Sequence, residues 1–182
     1  MSSTKRISKV PFISSLLSPQ QHSIVANPSQ EYAELTSAPP DNFTVALPPS
    51  QSLHTMHITH APPAPSPYHP GTYAMILNLP TTYPFKPPTI RFLTRVYHPN
   101  VTNDGQGNVC LGMLKSENWK PSTKIAQVLD AVAGLMQEPV PDDPLEERIA
   151  DEYRNDRAGW EMNVKAHVEK YAMGEPEFPG GD

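Results

Sequence analysis

A single thiol is the residue best suited to covalent chemistry in this chain, because Cys110 is the only cysteine among 182 residues. One cysteine excludes an intramolecular disulfide framework and any zinc cluster built from several cysteines. It also favours a reducing compartment, so we expect the cytoplasm and the nucleus. A lone thiol there is either a small buried hydrophobe or a reactive group, and the surrounding sequence has to decide between the two.

Three histidines in one predicted strand are a possible metal site. His54, His57 and His60 are three residues apart, and this odd spacing in a strand places neighbouring side chains on opposite faces. One metal ion needs its ligands on the same side. We therefore expect no shared metal, and the sequence indicates no cofactor.

The overall charge of the chain is acidic. The formal net charge is -5 and the isoelectric point is near 5.8, which argues against a nucleic acid held by bulk charge. No apolar run approaches the ~20 residues that span a bilayer. Lys5 and Lys9 lead into a mixed stretch without the apolar core of a signal peptide. We therefore expect neither a nucleic-acid nor a membrane partner.

Segments of strand-like sequence fill the first half of the chain. Most of the 23 prolines also lie there, so the strands must be short and joined by loops. Short successive strands favour a four-stranded antiparallel meander. The predicted strands are 43–47, 53–60, 72–79 and 89–94.

Helices are predicted on both sides of these strands, which makes an α+β domain. Asn27 before Pro28 predicts the cap and first residue of an N-terminal helix that stops before Pro39. Asp143 before Pro144 predicts the start of a later helix. Two more helices follow from apolar residues at helical spacing: Ile125, Val128, Leu129, Val132, Leu135 and Met136 in one, and Trp160, Val164, Val168 and Tyr171 in the other.

Five short motifs occur in a fixed order along the chain. They are YPFKPP at 83–88, YHPN at 97–100, VCL at 109–111, ENWKP at 117–121 and DDPL at 142–145. In order and spacing this set resembles the ubiquitin-conjugating enzymes, over about residues 31–173 and also 5–9. The fourth motif is most similar to the subgroup that serves HECT and RING-between-RING ligases.

The resemblance implies an enzyme of acyl transfer. It would accept ubiquitin from an activating enzyme as a thioester on Cys110 and pass it to a ligase cysteine or a substrate lysine. Thioesters stay reactive toward both thiols and amines, and no histidine adjoins Cys110 to serve hydrolysis. The alternatives are another ubiquitin-like modifier, a non-catalytic interaction module with a disabled fold, and a thiol hydrolase or redox protein.

Two more catalytic residues follow from the resemblance, each with a structural alternative. Asn100 would donate its amide to the oxyanion formed during transfer, or would only pin the loop before Cys110. Asp143 would orient or deprotonate an incoming lysine, or would only cap a helix. For His98 we expect a structural role, bonded to a carbonyl.

Three residues match positions where the family docks its ligases: Lys5, Phe85 and Pro121. Phe85 lies in a proline-rich loop, so we expect it to be exposed as an anchor. The alternative is a core aromatic.

The sequence departs from the family in three short places. The loop between Asn100 and Cys110 is two residues longer than usual, which could move one relative to the other. Gly112 stands where members that act on lysine have an acidic residue, so we expect transfer to cysteine before lysine. Met56 replaces the usual Trp of a core position, so we expect different packing there.

A fourth departure is an insertion of 21 residues, 10–30, in the first helix. When it is removed, Ile7, Tyr32 and Leu35 fall on a single helical stripe. The insertion is rich in Ser, Gln and Pro, and it therefore interrupts a periodicity that its removal restores.

We interpret the insertion as a retained intron. Its length keeps the reading frame, Val10 codons begin with GT, and a Gln30 codon can end in AG. The alternative is a lineage-specific loop that regulates contact with the activating enzyme. We expect a mobile N-terminal segment at 1–30, a catalytic domain at 31–173 and a frayed tail at 174–182.

Overall fold

The N-terminal helix begins where its capping residues predict. The computed structural model describes residues 27–180, and helix α1 spans Pro28–Ser37. The Asn27 side chain accepts a hydrogen bond from the Gln30 backbone N–H at 2.9 Å, which satisfies one of the free donors at the helix start. The helix ends before Pro39, as expected.

The sheet is the predicted four-stranded antiparallel meander. Its strands are β1 (Phe43–Ala46), β2 (Thr55–His60), β3 (Tyr73–Asn78) and β4 (Thr89–Phe92), in the order β1-β2-β3-β4. Each strand is one to two residues shorter at one or both ends than the sequence predicted. Met56 pairs with Leu77 in the register of β2 and β3, and both are fully buried. The position with the unusual methionine is therefore part of the main core.

Three helices follow the sheet: α2 (Ile125–Gln137), α3 (Glu147–Asn155) and α4 (Arg157–Tyr171). The apolar residues predicted for α2 are all buried. In α4, the Asp156 carboxylate caps the first turn through the Gly159 N–H, and Trp160, Val164 and Val168 are buried. These side chains join those of the sheet in one core.

The predicted start of α3 at Asp143 is wrong. Two backbone amides after Pro144, those of Leu145 and Glu146, donate to the Pro99 carbonyl at 2.8 and 3.0 Å. The backbone of Glu146 is not helical, with φ -128° and ψ 88°, and the helix starts at Glu147. A tertiary contact has therefore displaced the local capping pattern, and the Asp143 side chain is free for another role.

Several predictions fall on residues 1–26, outside the described part of the chain. They include the docking role of Lys5 and most of the insertion at 10–30. Helix α1 does contain the last three residues of the insertion. At the other end, the Phe178 ring stacks on His57 with centroids 4.4 Å apart. Fraying of the tail stays a prediction. None of the described helices is long and apolar enough to cross a membrane.

Candidate active site

Cys110 lies at the end of a short strand-like segment and is partly exposed. Val101 and Val109 form an antiparallel bridge, and the Cys110 N–H donates to the Asn100 carbonyl at 3.0 Å. A 3-10 turn, Gly112–Leu114, follows the cysteine. The backbone of Cys110 is thus held by a hydrogen bond to Asn100 and is followed directly by a tight turn.

The longer loop at 102–108 leaves Asn100 and Cys110 directly bonded. Its extra length lies beyond the Val101–Val109 bridge, in an exposed turn. The turn closes onto β4, since the Phe92 N–H donates to the Gly107 carbonyl at 2.8 Å. Gly107 has φ +66°, and a Cβ there would lie 2.0 Å from the Phe92 oxygen, so this close approach requires glycine.

His98 has the structural role that the sequence predicts. It is fully buried; its Nδ1 accepts from the Asn100 N–H at 2.9 Å, and its Nε2 lies 2.9 Å from the Leu135 carbonyl. Nε2 must therefore carry the proton and donate. Burial lowers the pKa of His98 to about 4, so the ring is neutral at physiological pH.

The Asn100 side chain holds the loop that carries Asp143. Its amide donates to the Val140 carbonyl at 2.8 Å and to the Asp143 carbonyl at 3.0 Å. Its oxygen accepts from the Val140 N–H at 2.9 Å. The side chain, which is 1% exposed, pins residues 140–143 rather than the loop before Cys110.

Asp143, for which the family resemblance implies a role toward an incoming lysine, lies beside the thiol. Its Oδ2 is 3.7 Å from the Cys110 Sγ and 2.7 Å from the Lys115 Nζ. Burial, followed by the negative charge of Asp143, raises the pKa of the Cys110 thiol, and the Lys115 charge opposes this. The hydrogen bond and charge of Lys115 hold the pKa of Asp143 below its usual range.

Lys115 is the residue of the site that sequence reasoning missed. It follows Cys110 by five residues, a spacing without a recognised meaning. The 3-10 turn brings it back toward the thiol, with its N–H donating to the Gly112 carbonyl at 3.3 Å. Only the lysine's position just after a short turn could have pointed to it.

A largely apolar cleft of about 360 Å³ runs alongside the thiol. The lining residues include Leu111, Met113, Ala131, Leu135 and Val140, with Glu138 and Asp143 as its charged members.

Two of the three residues predicted to dock ligases lie in the described part of the chain, on adjoining loops. Phe85 is 72% exposed, so it is not a core aromatic, and Pro121 is also exposed. The Trp119 indole N–H donates to the Pro84 carbonyl at 2.7 Å, which ties the two loops together. Lys5 lies outside the described residues.

The three histidines of the β2 region have separate surroundings. The His60 ring stacks on Phe43 with centroids 4.1 Å apart, and its Nδ1 lies 3.1 Å from the Asn42 carbonyl. His57 stacks on Phe178, and the His54 Nδ1 lies 3.1 Å from the Leu79 carbonyl. Each ring is thus engaged with a different part of the protein.

Comparison with known proteins identifies the family to which this site belongs. A sequence profile described as ubiquitin-conjugating enzyme matches residues 28–168. The chain belongs to the ubiquitin-conjugating enzymes. It is 42% identical over 144 residues to ubiquitin-conjugating enzyme E2 14 of Schizosaccharomyces pombe, which covers 79% of this chain and 91% of the relative. Its fold matches the E2 domain of a Toxoplasma gondii ubiquitin conjugating enzyme with a TM-score of 0.71 and 26% identity, over 80% of this chain and 96% of that one.

This membership defines the class of reaction. The protein is a thioester-forming transferase, and its partners are ubiquitin, the ubiquitin-activating enzyme and ubiquitin ligases. The comparisons do not favour the alternatives of another modifier or a non-catalytic module.

Proposed function

We propose that this ubiquitin-conjugating enzyme carries ubiquitin on Cys110 and passes it to a ligase cysteine in preference to a free lysine. The observation that carries the proposal is the position of the chain's only thiol, partly exposed at a cleft of about 360 Å³ and beside the Asp143 carboxylate. The cleft takes the extended C-terminal segment of ubiquitin, and its terminal carbonyl carbon is bonded to Sγ.

The surroundings of Cys110 support a thiol acceptor. Gly112 offers no side chain, and space is open where its Cβ would lie. Asp143 is already paired with Lys115. The carboxylate beside the thiol is therefore already neutralised when an ammonium group arrives, and for the same reason it does not repel a ligase thiolate.

Asn100 serves transfer by positioning the active-site loop. Its amide hydrogens are directed at the Val140 and Asp143 carbonyls, which places the Asp143 carboxylate next to Cys110. A direct role as oxyanion donor requires one of these hydrogens to leave its carbonyl during the reaction.

Ligase docking uses Phe85 and Pro121, together with Lys5. The exposed Phe85 ring is a large apolar anchor of the type that dominates protein interfaces. The ENWKP segment at 117–121 supports HECT or RING-between-RING ligases, with RING ligases as a second class. Cytoplasmic and nuclear localisation, and the origin of the insertion, stay predictions from the sequence.

The experiment begins with charging by the activating enzyme, ATP and ubiquitin. The wild type should form an adduct that a reductant releases. Cys110→Ser should give a reductant-resistant oxyester, and Cys110→Ala should give no adduct. An adduct that persists in the alanine variant would overturn the assignment, and parallel reactions with other modifiers test the choice of ubiquitin.

The second stage follows discharge of the purified thioester. We expect faster discharge onto free cysteine or a HECT domain than onto free lysine. Phe85→Ala should slow only the HECT reaction. Met162→Ala on α4 is the control, because Met162 is exposed to a similar degree, 68% against 72%. Rapid lysine discharge without a ligase would contradict the proposed acceptor.

A further inference from the structure

We propose that Lys115 determines acceptor specificity by occupying the carboxylate that an incoming lysine needs. This inference rests on the proposed function of Cys110 as the carrier of ubiquitin. The role of Lys115 differs from those of Cys110, Asn100 and Asp143. The Lys115 ammonium group occupies the position at Asp143 that the amine of an acceptor lysine would otherwise take.

The geometry places all three groups around one oxygen. Asp143 Oδ2 lies 2.7 Å from the Lys115 Nζ and 3.7 Å from the Cys110 Sγ. The ammonium group therefore lies on the oxygen that faces the sulfur. Other acidic side chains also lie in this region: Glu138 lines the same cleft, the charge of Glu117 acts on Lys115, and Asp142 directly precedes Asp143.

An acceptor lysine depends on this carboxylate. Lysine arrives as an ammonium ion and must lose a proton before it can attack. Contact with Lys115 lowers the pKa of the Asp143 carboxyl, and Asp143 is therefore a weaker base. The pair also repels a second ammonium group through Lys115.

A thiol acceptor does not depend on the carboxylate in this way. It attacks as a thiolate, which an unpaired Asp143 would repel and which the neutralised pair admits. The same ion pair thus disfavours amines and favours thiols, and its effect is to change the ratio between the two reactions.

The two reactions balance without a further reactant. With lysine, the ammonium group first loses one proton to solvent by way of Asp143. The amine then forms the C–N bond as the C–S bond breaks, and its second proton passes to the Cys110 thiolate that leaves. With cysteine, one C–S bond replaces another and the thiolate moves to Cys110. Lys115 itself stays protonated, because its contact with Asp143 raises its pKa.

The test is single-turnover discharge of charged Lys115→Gln onto free lysine and onto free cysteine. We expect lysine discharge to rise roughly two- to fivefold relative to cysteine discharge, the size expected of one exposed ion pair. Lys115→Arg keeps the charge and should behave as the wild type. Lys165→Gln on α4 removes an exposed lysine elsewhere and should also leave the ratio unchanged.

Two more measurements make the test specific. In the Lys115→Gln/Asp143→Asn double variant the gain should disappear, since Lys115 acts through Asp143. The gain should also shrink at high salt, because salt screens exposed charges.

Several outcomes would overturn the inference: an unchanged ratio in Lys115→Gln, a lower ratio, or ubiquitin joined to Lys115 itself by an isopeptide bond in the wild type. Charging is scored separately for every variant. A wild type that cannot be charged contradicts the proposed function, whereas normal charging with an unchanged ratio contradicts only the role of Lys115.

Discussion

The two sides of Cys110 are built in opposite ways. Behind it, His98 and Asn100 are buried, and their side-chain polar atoms are paired with backbone groups. In front of it, Lys115 and Asp143 form an ion pair whose side chains are 43% and 60% exposed. The rear side is neutral and closed, and the front side is charged and open to solvent.

This difference means that one side of Cys110 fixes the position of the thiol and the other side adjusts its reactivity. A buried donor or acceptor that loses its partner is costly, so the rear network has one stable arrangement and fixes the backbone around the thiol. An exposed ion pair contributes little to stability. It can therefore vary in charge without loss of the fold, and it adjusts the chemistry of a thiol held in place by other groups.

The largest effect should come from breaking the rear network with Asn100→Ala. Removal of the amide leaves the Val140 N–H and the Val140 and Asp143 carbonyls without their partner. We expect the free energy of unfolding to fall by about 2–4 kcal/mol, measured by urea denaturation. Transfer should weaken as well, because the loop that carries Asp143 loses its anchor.

Asn103→Ala is the matched control for this prediction. Asn103 is an exposed asparagine of the neighbouring loop, and its removal should change the free energy of unfolding by less than about 0.5 kcal/mol. If Asn100→Ala is as stable as Asn103→Ala but cannot transfer ubiquitin, the amide acts mainly on the oxyanion, and the separation of position from reactivity does not hold.

A smaller effect should come from acid, through His98. Burial lowers its pKa in the native state to about 4, against about 6.5 in the unfolded chain. Between pH 4 and pH 6.5, His98 is therefore protonated in the unfolded chain and neutral in the native state. The free energy of unfolding therefore rises with pH across this window, and the contribution of His98 is lost as the pH falls toward 4.

The expected loss from His98 between pH 7 and pH 5 is on the order of 2 kcal/mol, measured by urea denaturation at each pH. The buried His60, whose pKa burial also lowers, should add to it in the same direction. His98→Gln should show a smaller dependence on pH than the wild type, whatever its stability at pH 7. An equally steep dependence in His98→Gln would mean that other groups destabilise the rear network in acid.

Much of the fold could be predicted because its determinants are local. Asn27 and Pro28 start α1 with contacts inside one turn, and the four strands follow from their length and proline-rich loops. The start of α3 could not be predicted in this way, because the Pro99 carbonyl, more than 40 residues away, binds the amides of Leu145 and Glu146.

The same rule applies to the site. The family motifs predicted that Asp143 acts on the acceptor in the reaction at Cys110, and the proline-rich loop predicted the exposure of Phe85. They did not predict that the Asn100 amide binds Val140, since the sequence does not show which carbonyls surround a buried side chain. Lys115 was missed because its approach to Asp143 depends on the turn at Gly112–Leu114 and on the displaced start of α3, and neither is encoded in a recognised motif.

The smallest effect should be found on the front side, as two opposite shifts in the pKa of the Cys110 thiol. Besides burial, the Asp143 charge raises this pKa and the Lys115 charge lowers it. Asp143→Asn should therefore lower the pKa of the thiol, and it also releases Lys115 to stabilise the thiolate. Lys115→Gln should raise the pKa, because the Asp143 charge is then unopposed. The rate of alkylation by iodoacetamide, followed against pH, measures both shifts, since the thiolate is the reacting form. Asp142→Asn is the control, because Asp142 is the adjacent exposed carboxylate and is not among the charges that shift the thiol.

Shifts in the same direction for the Asp143→Asn and Lys115→Gln variants would show that they alter the exposure of the thiol rather than its electrostatics. Opposite shifts with unchanged stability would show that the front pair sets reactivity alone, as the comparison of the two sides of Cys110 requires.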